Sequence, residues 1–158
     1  MNPKKLAFLA VTHISIGFAG FILGVFSLPL LTAPPSPTNE ALAQVSSDAM
    51  FTTRFVKNLK DSDFLHWGEG DVYLSDNQIA LDGRLAPGPN YMLYLSPEFV
   101  ETEDDFRLLK HRMVNVGDVN TFDNFIVSVP DDIDLQQYNS VIVWCEAFGQ
   151  FITAAKYQ

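Results

Sequence analysis

Cys145 is the one thiol among 158 residues. The chain therefore cannot form a disulfide with itself, and Cys-x-x-Cys redox pairs, thiolate clusters and c-type haem attachment are excluded with it. A lone cysteine can still exchange electrons or a thiol with a partner. That chemistry needs access to the sulfur and a pKa lowered by neighbouring Lys, Arg or His. The local residues point the other way. Alternation in Val141–Cys145 sets Val141, Val143 and Cys145 on one face and Ile142 and Trp144 on the other. Both faces are apolar, which predicts a central strand covered on both sides. A cysteine in such a strand behaves as a small hydrophobe, and Glu146, if close, would raise its pKa. The residues alone favour inert packing.

His66, His111, Met113 and Cys145 include the residue types of a mononuclear copper centre. None stands at ligand spacing from another, so no metal site is assigned. His66, within His66-Trp67-Gly68-Glu69-Gly70, reads as the start of a strand or as a partner in a turn. The acidic runs Glu101–Asp105 and Asp131-Asp132-Ile133-Asp134 lack the glycine-containing loop that gathers oxygens around calcium, and read as solvated turns. No Gly-x-Ser-x-Gly, Walker loop, His-Glu-x-x-His or dinucleotide fingerprint occurs. Nothing argues for a conventional enzyme, and no motif identifies a cofactor.

The elements that would position these residues are mostly strands. Thr52–Leu59, Asp71–Leu74, Gln78–Leu81, Tyr91–Leu95, Met113–Val116, Phe125–Val129, Val141–Cys145 and Phe151–Ala155 are short runs separated by turn signals. Among those signals are Ser75-Asp76-Asn77 and Ala86-Pro87-Gly88-Pro89-Asn90. Such spacing predicts an all-β sandwich or barrel-like domain. One segment departs from it. Phe106, Leu109 and Met113 recur at helical spacing after Thr102, which with Asp105 resembles a capping box, predicting a short helix over an open end of the sandwich.

The first 43 residues differ in kind. Leu6 to Leu31 contains no Asp, Glu, Lys or Arg, and Lys4 and Lys5 immediately precede it. At about 1.5 Å per residue this run exceeds a hydrocarbon core of ~30 Å. The positive-inside rule then places the N-terminus in the cytoplasm and the domain periplasmic, beyond the inner membrane. Ala41-Leu42-Ala43 offers the rival reading of a cleaved signal sequence with Gln44 as the new N-terminus, but it lies ten residues past the apolar run. His13, Gly17, Gly20, Gly24 and Ser27 form a narrow small-or-polar stripe suited to packing on a second helix, in a homodimer or against another membrane protein. Pro34, Pro35 and Pro37 predict an extended spacer. The expected organisation is a stub and transmembrane helix over 1–31, a linker over 32–47 and the domain over 48–158.

From Gln44 onward there are 18 Asp and Glu against 8 Lys and Arg. A domain this acidic is a poor partner for nucleic acid, whose phosphates need clustered cations.

Three stretches carry a family resemblance. Gly88-Pro89-Asn90-Tyr91-Met92-Leu93-Tyr94-Leu95-Ser96 resembles the Gly-Pro-then-strand element of the DM-thirteen domain, a family named for electron transfer. Val116-Gly117-Asp118-Val119 with Phe125-Ile126-Val127-Ser128-Val129-Pro130 resembles its second element. Ser140-Val141-Ile142-Val143-Trp144-Cys145-Glu146-Ala147-Phe148 resembles its third, which carries the characteristic cysteine. The likeness spans about Phe55 to Ala155. Val127 stands where the family has a tyrosine, and the segment from Pro97 to His111 is longer than in shorter members. The resemblance implies an all-β fold, a redox role for Cys145 and a redox partner. The alternative expectation is a cofactor-free interaction or structural domain of the cell envelope.

Overall fold

Strand β7 (Ser140–Cys145) is buried at every one of its six residues, and the domain is arranged around it. The computed structural model describes residues 2–158, less the side chain of Phe26. In chain order the elements are α1 (Pro3–Thr32), α2 (Asn39–Ser47), β1 (Phe51–Phe55), β2 (Gly68–Leu74), β3 (Gln78–Leu85), β4 (Tyr91–Ser96), α3 (Glu103–Leu109), β5 (Val114–Val119), β6 (Phe125–Ser128), β7 and β8 (Gln150–Lys156). They form two four-stranded antiparallel sheets, ordered β1-β2-β3-β6 and β5-β4-β7-β8. All eight expected strands are present.

The alternation read from β7 holds in space. Val141, Val143 and Cys145 join Leu93 and Leu95 of β4 in the core between the sheets, facing Val72, Leu74, Ile79 and Leu81. Ile142 and Trp144 project from the outer face into a second cluster with Tyr94, Phe151 and Phe106. A strand buried on both faces must be apolar at every position, because neither set of side chains reaches water.

Phe106 supplies the outer cover, and it corrects the expected placement of the helix. Its ring stacks on Trp144, with centroids 3.9 Å apart and planes 10° from parallel, and meets the Tyr94 ring edge-on at 5.2 Å. So α3 lies over the outer face of the second sheet, not over an open end. The aromatic surface of Tyr94 and Trp144 has to be covered by something equally large. Thr102 caps the helix as expected, its hydroxyl accepting from Asp105 N–H at 3.1 Å. Asp105 is too short to complete the reciprocal box with the backbone, and its carboxylate accepts from the Thr102 hydroxyl instead, at 2.7 Å. The helix ends at Leu109 in a tight turn, Lys110–Arg112, so Met113 follows it in extended conformation.

Two other segments differ from expectation. The stretch 39–47 is helical, not extended. Thr38 accepts from Ala41 N–H at 3.3 Å, and Leu42 and Val45, one turn apart, pack on Ala80 of the first sheet. Proline ends at Pro37, and beyond it nothing prevents a capped amphipathic turn. Strand β1 stops at Phe55 instead of continuing to Leu59. Past that point the Asp63 carboxylate accepts from the N–H groups of Leu65 and His66 and holds a loop.

Helix α1 has 30 residues and is long and apolar enough to cross a membrane, a test that a signal sequence also passes. Its only internal proline, Pro29, sits in the last turn.

Truncating Phe106 should remove the outer cover. Phe106→Ala is expected to lower stability by about 3–5 kcal/mol in urea denaturation, against ~1 kcal/mol for Thr102→Ala, which loses only the cap. Equal losses for the two would show that α3 does not seal the sheet.

Candidate functional site

Cys145 is the last residue of β7, at one end of the core. It is 2% exposed, and its Sγ donates to the Pro89 carbonyl at 3.1 Å. The contact comes from strand pairing. β4 and β7 run antiparallel with Tyr91 opposite Cys145, so the proline-rich turn that enters β4 lies against the turn that leaves β7. Asn90 adopts a left-handed φ of 55°, and its carbonyl accepts from Glu146 N–H at 3.0 Å, tying the two turns together. Gly149, at φ 64°, then lets the chain reverse into β8 while its N–H bonds to the Cys145 carbonyl at 2.9 Å.

Burial pushes the Cys145 thiol above its usual range. The backbone N–H groups of Phe148 and Ala147 oppose the rise in part, and the Glu146 carboxylate adds to it. At neutral pH the sulfur is therefore a protonated donor, not a nucleophile. The sequence expectation about Glu146 holds in direction and is small in effect, because Glu146 points to the other face. There it accepts from the Tyr94 hydroxyl and from Lys110 Nζ at 2.7 Å. Burial raises the Glu146 carboxyl, but the bonds from Lys110 and Tyr94 outweigh burial and hold it below its ordinary value.

The thiol lies in the wall of a cleft of about 470 Å³. Leu65, Pro87, Pro89, Phe148 and Ile152 line it together with residues of α1, and Tyr91, His66 and Gln150 add polar groups. Burial also drives the Tyr91 phenol well above its ordinary value, with the nearby Cys145 adding to the effect. His66 Nδ1 lies 3.0 Å from Asp63 Oδ2, which fixes the imidazole beside the cleft.

The residues considered together from sequence do not all meet. His66 and Cys145 share the cleft. His111 bonds through Nδ1 to the Leu108 carbonyl on the exposed turn after α3, and Met113 packs against the outer aromatic cluster. Among the described residues, no three of His, Cys, Asp and Glu converge as a metal site would require. The stripe on α1 lies apart from the sandwich core. Gly17, Gly20 and Gly24 have open space where a side chain would project, and His13 Nδ1 donates to Leu9 O of its own helix at 2.8 Å. Sequence reasoning missed Tyr91, Phe148 and Gln150 as neighbours of the thiol. No sequence signal joins them, because they meet only through the antiparallel pairing of β4 with β7.

Comparison with known proteins bears on nearly the whole domain. The family model described as electron transfer DM13 matches residues 55–157, a stretch running from the end of β1 to just past β8. No curated protein matches the chain, and no solved structure does.

Proposed function

The chain belongs to the electron transfer DM13 family, and on that footing we propose that it is a membrane-anchored electron-transfer domain with Cys145 as its redox thiol. What supports the role of Cys145 is its position. A cysteine that merely fills space can sit anywhere in the core, yet this one lies at the end of β7, in the wall of a cleft, against the Gly88-Pro89 turn. Displacing that turn would break the S–H···O bond and admit water. The N–H groups of Ala147 and Phe148 would remain to stabilise a thiolate. Reactivity is then gated by loop movement, and the closed arrangement protects the thiol until a redox partner docks.

The anchor is α1, with the division 1–31, 32–47 and 48–158 retained for stub and helix, connector and domain. Lys4 and Lys5 support a cytoplasmic N-terminus and a periplasmic domain at the inner membrane. The open stripe of His13, Gly17, Gly20, Gly24 and Ser27 suits a second copy or another membrane helix. Replacing Gly20 and Gly24 with Leu should abolish self-association in a membrane two-hybrid assay, and persistent association would remove the stripe from consideration.

One observation favours a second reading. A cysteine that is 2% exposed, with a raised pKa, also suits a cofactor-free interaction domain of the envelope. Incubation with glutathione disulfide separates the two. In the redox reading, opening exposes the Cys145 thiolate, which attacks the disulfide, forms a mixed disulfide and expels one glutathione thiolate. A single adduct on the folded protein, reversed by dithiothreitol and absent in Cys145→Ser, is the expected result. If Cys145 is modified only after the domain unfolds, the thiol role is wrong and the interaction reading stands.

A further inference from the structure

Tyr91 is 3% exposed. Its ring packs over Gly88, where a single added carbon would come within 2.4 Å of the phenol oxygen. Among the described residues the hydroxyl makes no hydrogen bond, and it opens onto the cleft that the ring lines, unlike the enclosed unpaired groups of Ser62, Asn124 and Thr153. It lines the same cleft as the Cys145 thiol, and so does His66, whose Nδ1 is occupied by Asp63 while its other ring nitrogen makes no bond. The Tyr91 hydroxyl and the free nitrogen of His66 thus border a largely apolar space without satisfying one another.

The rest of the lining narrows what could satisfy them. Among the described residues, no Lys, Arg, Asp or Glu borders the cleft, and the domain is strongly acidic, so an anionic ligand finds no counter-charge. A pure hydrocarbon would leave the Tyr91 hydroxyl unpaired. A volume of about 470 Å³ suits one substituted ring. The thiol already donates to the Pro89 carbonyl, which leaves the phenol as the donor facing the space, so the complementary ligand carries an acceptor, with carbonyl oxygen the simplest.

Position supplies the remaining constraint. Phe21, Ile22 and Val25 of α1 complete the lining. A helix of 30 residues is about 45 Å long, some 15 Å more than the hydrocarbon core. With Lys4 and Lys5 held at the near interface, about 20 residues of span end close to Val25. The cleft therefore opens at the level of the far membrane surface, where a ring could enter and an alkyl tail could stay among the lipids.

Building on the electron-transfer reading, we propose that the cleft binds the ring of a lipophilic quinone, with the Tyr91 hydroxyl donating to one of its carbonyl oxygens. Decylubiquinone titrated into the full-length protein in detergent micelles tests this by calorimetry, with dodecylbenzene as the ring-and-tail control that lacks carbonyls. The wild type should bind decylubiquinone at least tenfold more tightly than dodecylbenzene. Tyr91→Phe should weaken binding about 5- to 10-fold with no loss of Tm, because the hydroxyl it removes bonds nothing in the free protein. His66→Leu, placed beside a turn, provides a second variant should Tyr91→Phe fold poorly, and it too should weaken binding. Unchanged affinity in the folded variants, or equal affinity for the control, would overturn the proposal. Cys145→Ser separates this from the redox reading: it should still bind the quinone while losing the glutathione adduct. Adduct formation without quinone binding would remove the quinone site and leave the redox thiol in place.

Discussion

Covering β7 on both faces is the constraint on which the rest of the structure depends. A strand with Val141, Val143 and Cys145 on one side and Ile142 and Trp144 on the other cannot tolerate water on either. One face is satisfied by the opposing sheet and the other by Phe106 from α3. The first sheet solves a smaller version of the same problem with Leu42 and Val45 of α2 over Ala80. The product is a sandwich with a helix on each outer face. Core burial of this kind is worth about 1.5–3 kcal/mol per large side chain, far above the ~0–1 kcal/mol of the exposed ion pairs around it, such as Arg54 with Asp71. Packing positions the site, and surface charge contributes little to it.

The same constraint sets the chemistry of the thiol. Because β7 is central, its terminal residue is desolvated, and desolvation dominates the Cys145 pKa. Glu146, one residue on, escapes to the outer face, where Lys110 and Tyr94 stabilise its charge. Two adjacent residues, one ending β7 and the next opening the turn, thus carry opposite shifts: a thiol held neutral inside and a carboxylate held ionised outside. Pairing of β4 with β7 then brings Pro89 and Tyr91 to the sulfur. Two sequence elements separated by some fifty residues become a single wall.

Much of this was legible in the residues. Period-two alternation in Val141–Cys145 identified a doubly covered central strand, and turn signals such as Ser75-Asp76-Asn77 marked the strand boundaries. Helical spacing of Phe106 with Leu109 found α3. Its destination was not legible, because what Phe106 covers depends on which strands are neighbours. The connector was misread over 39–47, where three prolines outweighed the cap at Thr38 and the Leu42–Val45 stripe. Those two apolar residues carry weight only once the Ala80 surface exists to receive them. The cleft was invisible for a similar reason. His66, Tyr91, Cys145 and Phe148 are scattered along the chain, and no spacing rule joins residues that meet through antiparallel register. The resemblance named the Gly88-Pro89 and Cys145 stretches as two elements of one family pattern, and only the pairing of β4 with β7 sets them side by side.

The central claim is that Cys145 is a desolvated, protonated thiol at the wall of a cleft. The pH dependence of iodoacetamide alkylation, followed on the folded protein and on the same chain unfolded in denaturant, tests it directly. The unfolded chain should show the inflection of an ordinary thiol, near 9.0. In the folded protein the thiolate is the disfavoured form, so the inflection should move to higher pH and alkylation at neutral pH should be slower than in the unfolded chain. An inflection below pH ~7 with faster alkylation in the folded state would show an activated thiolate and contradict the account.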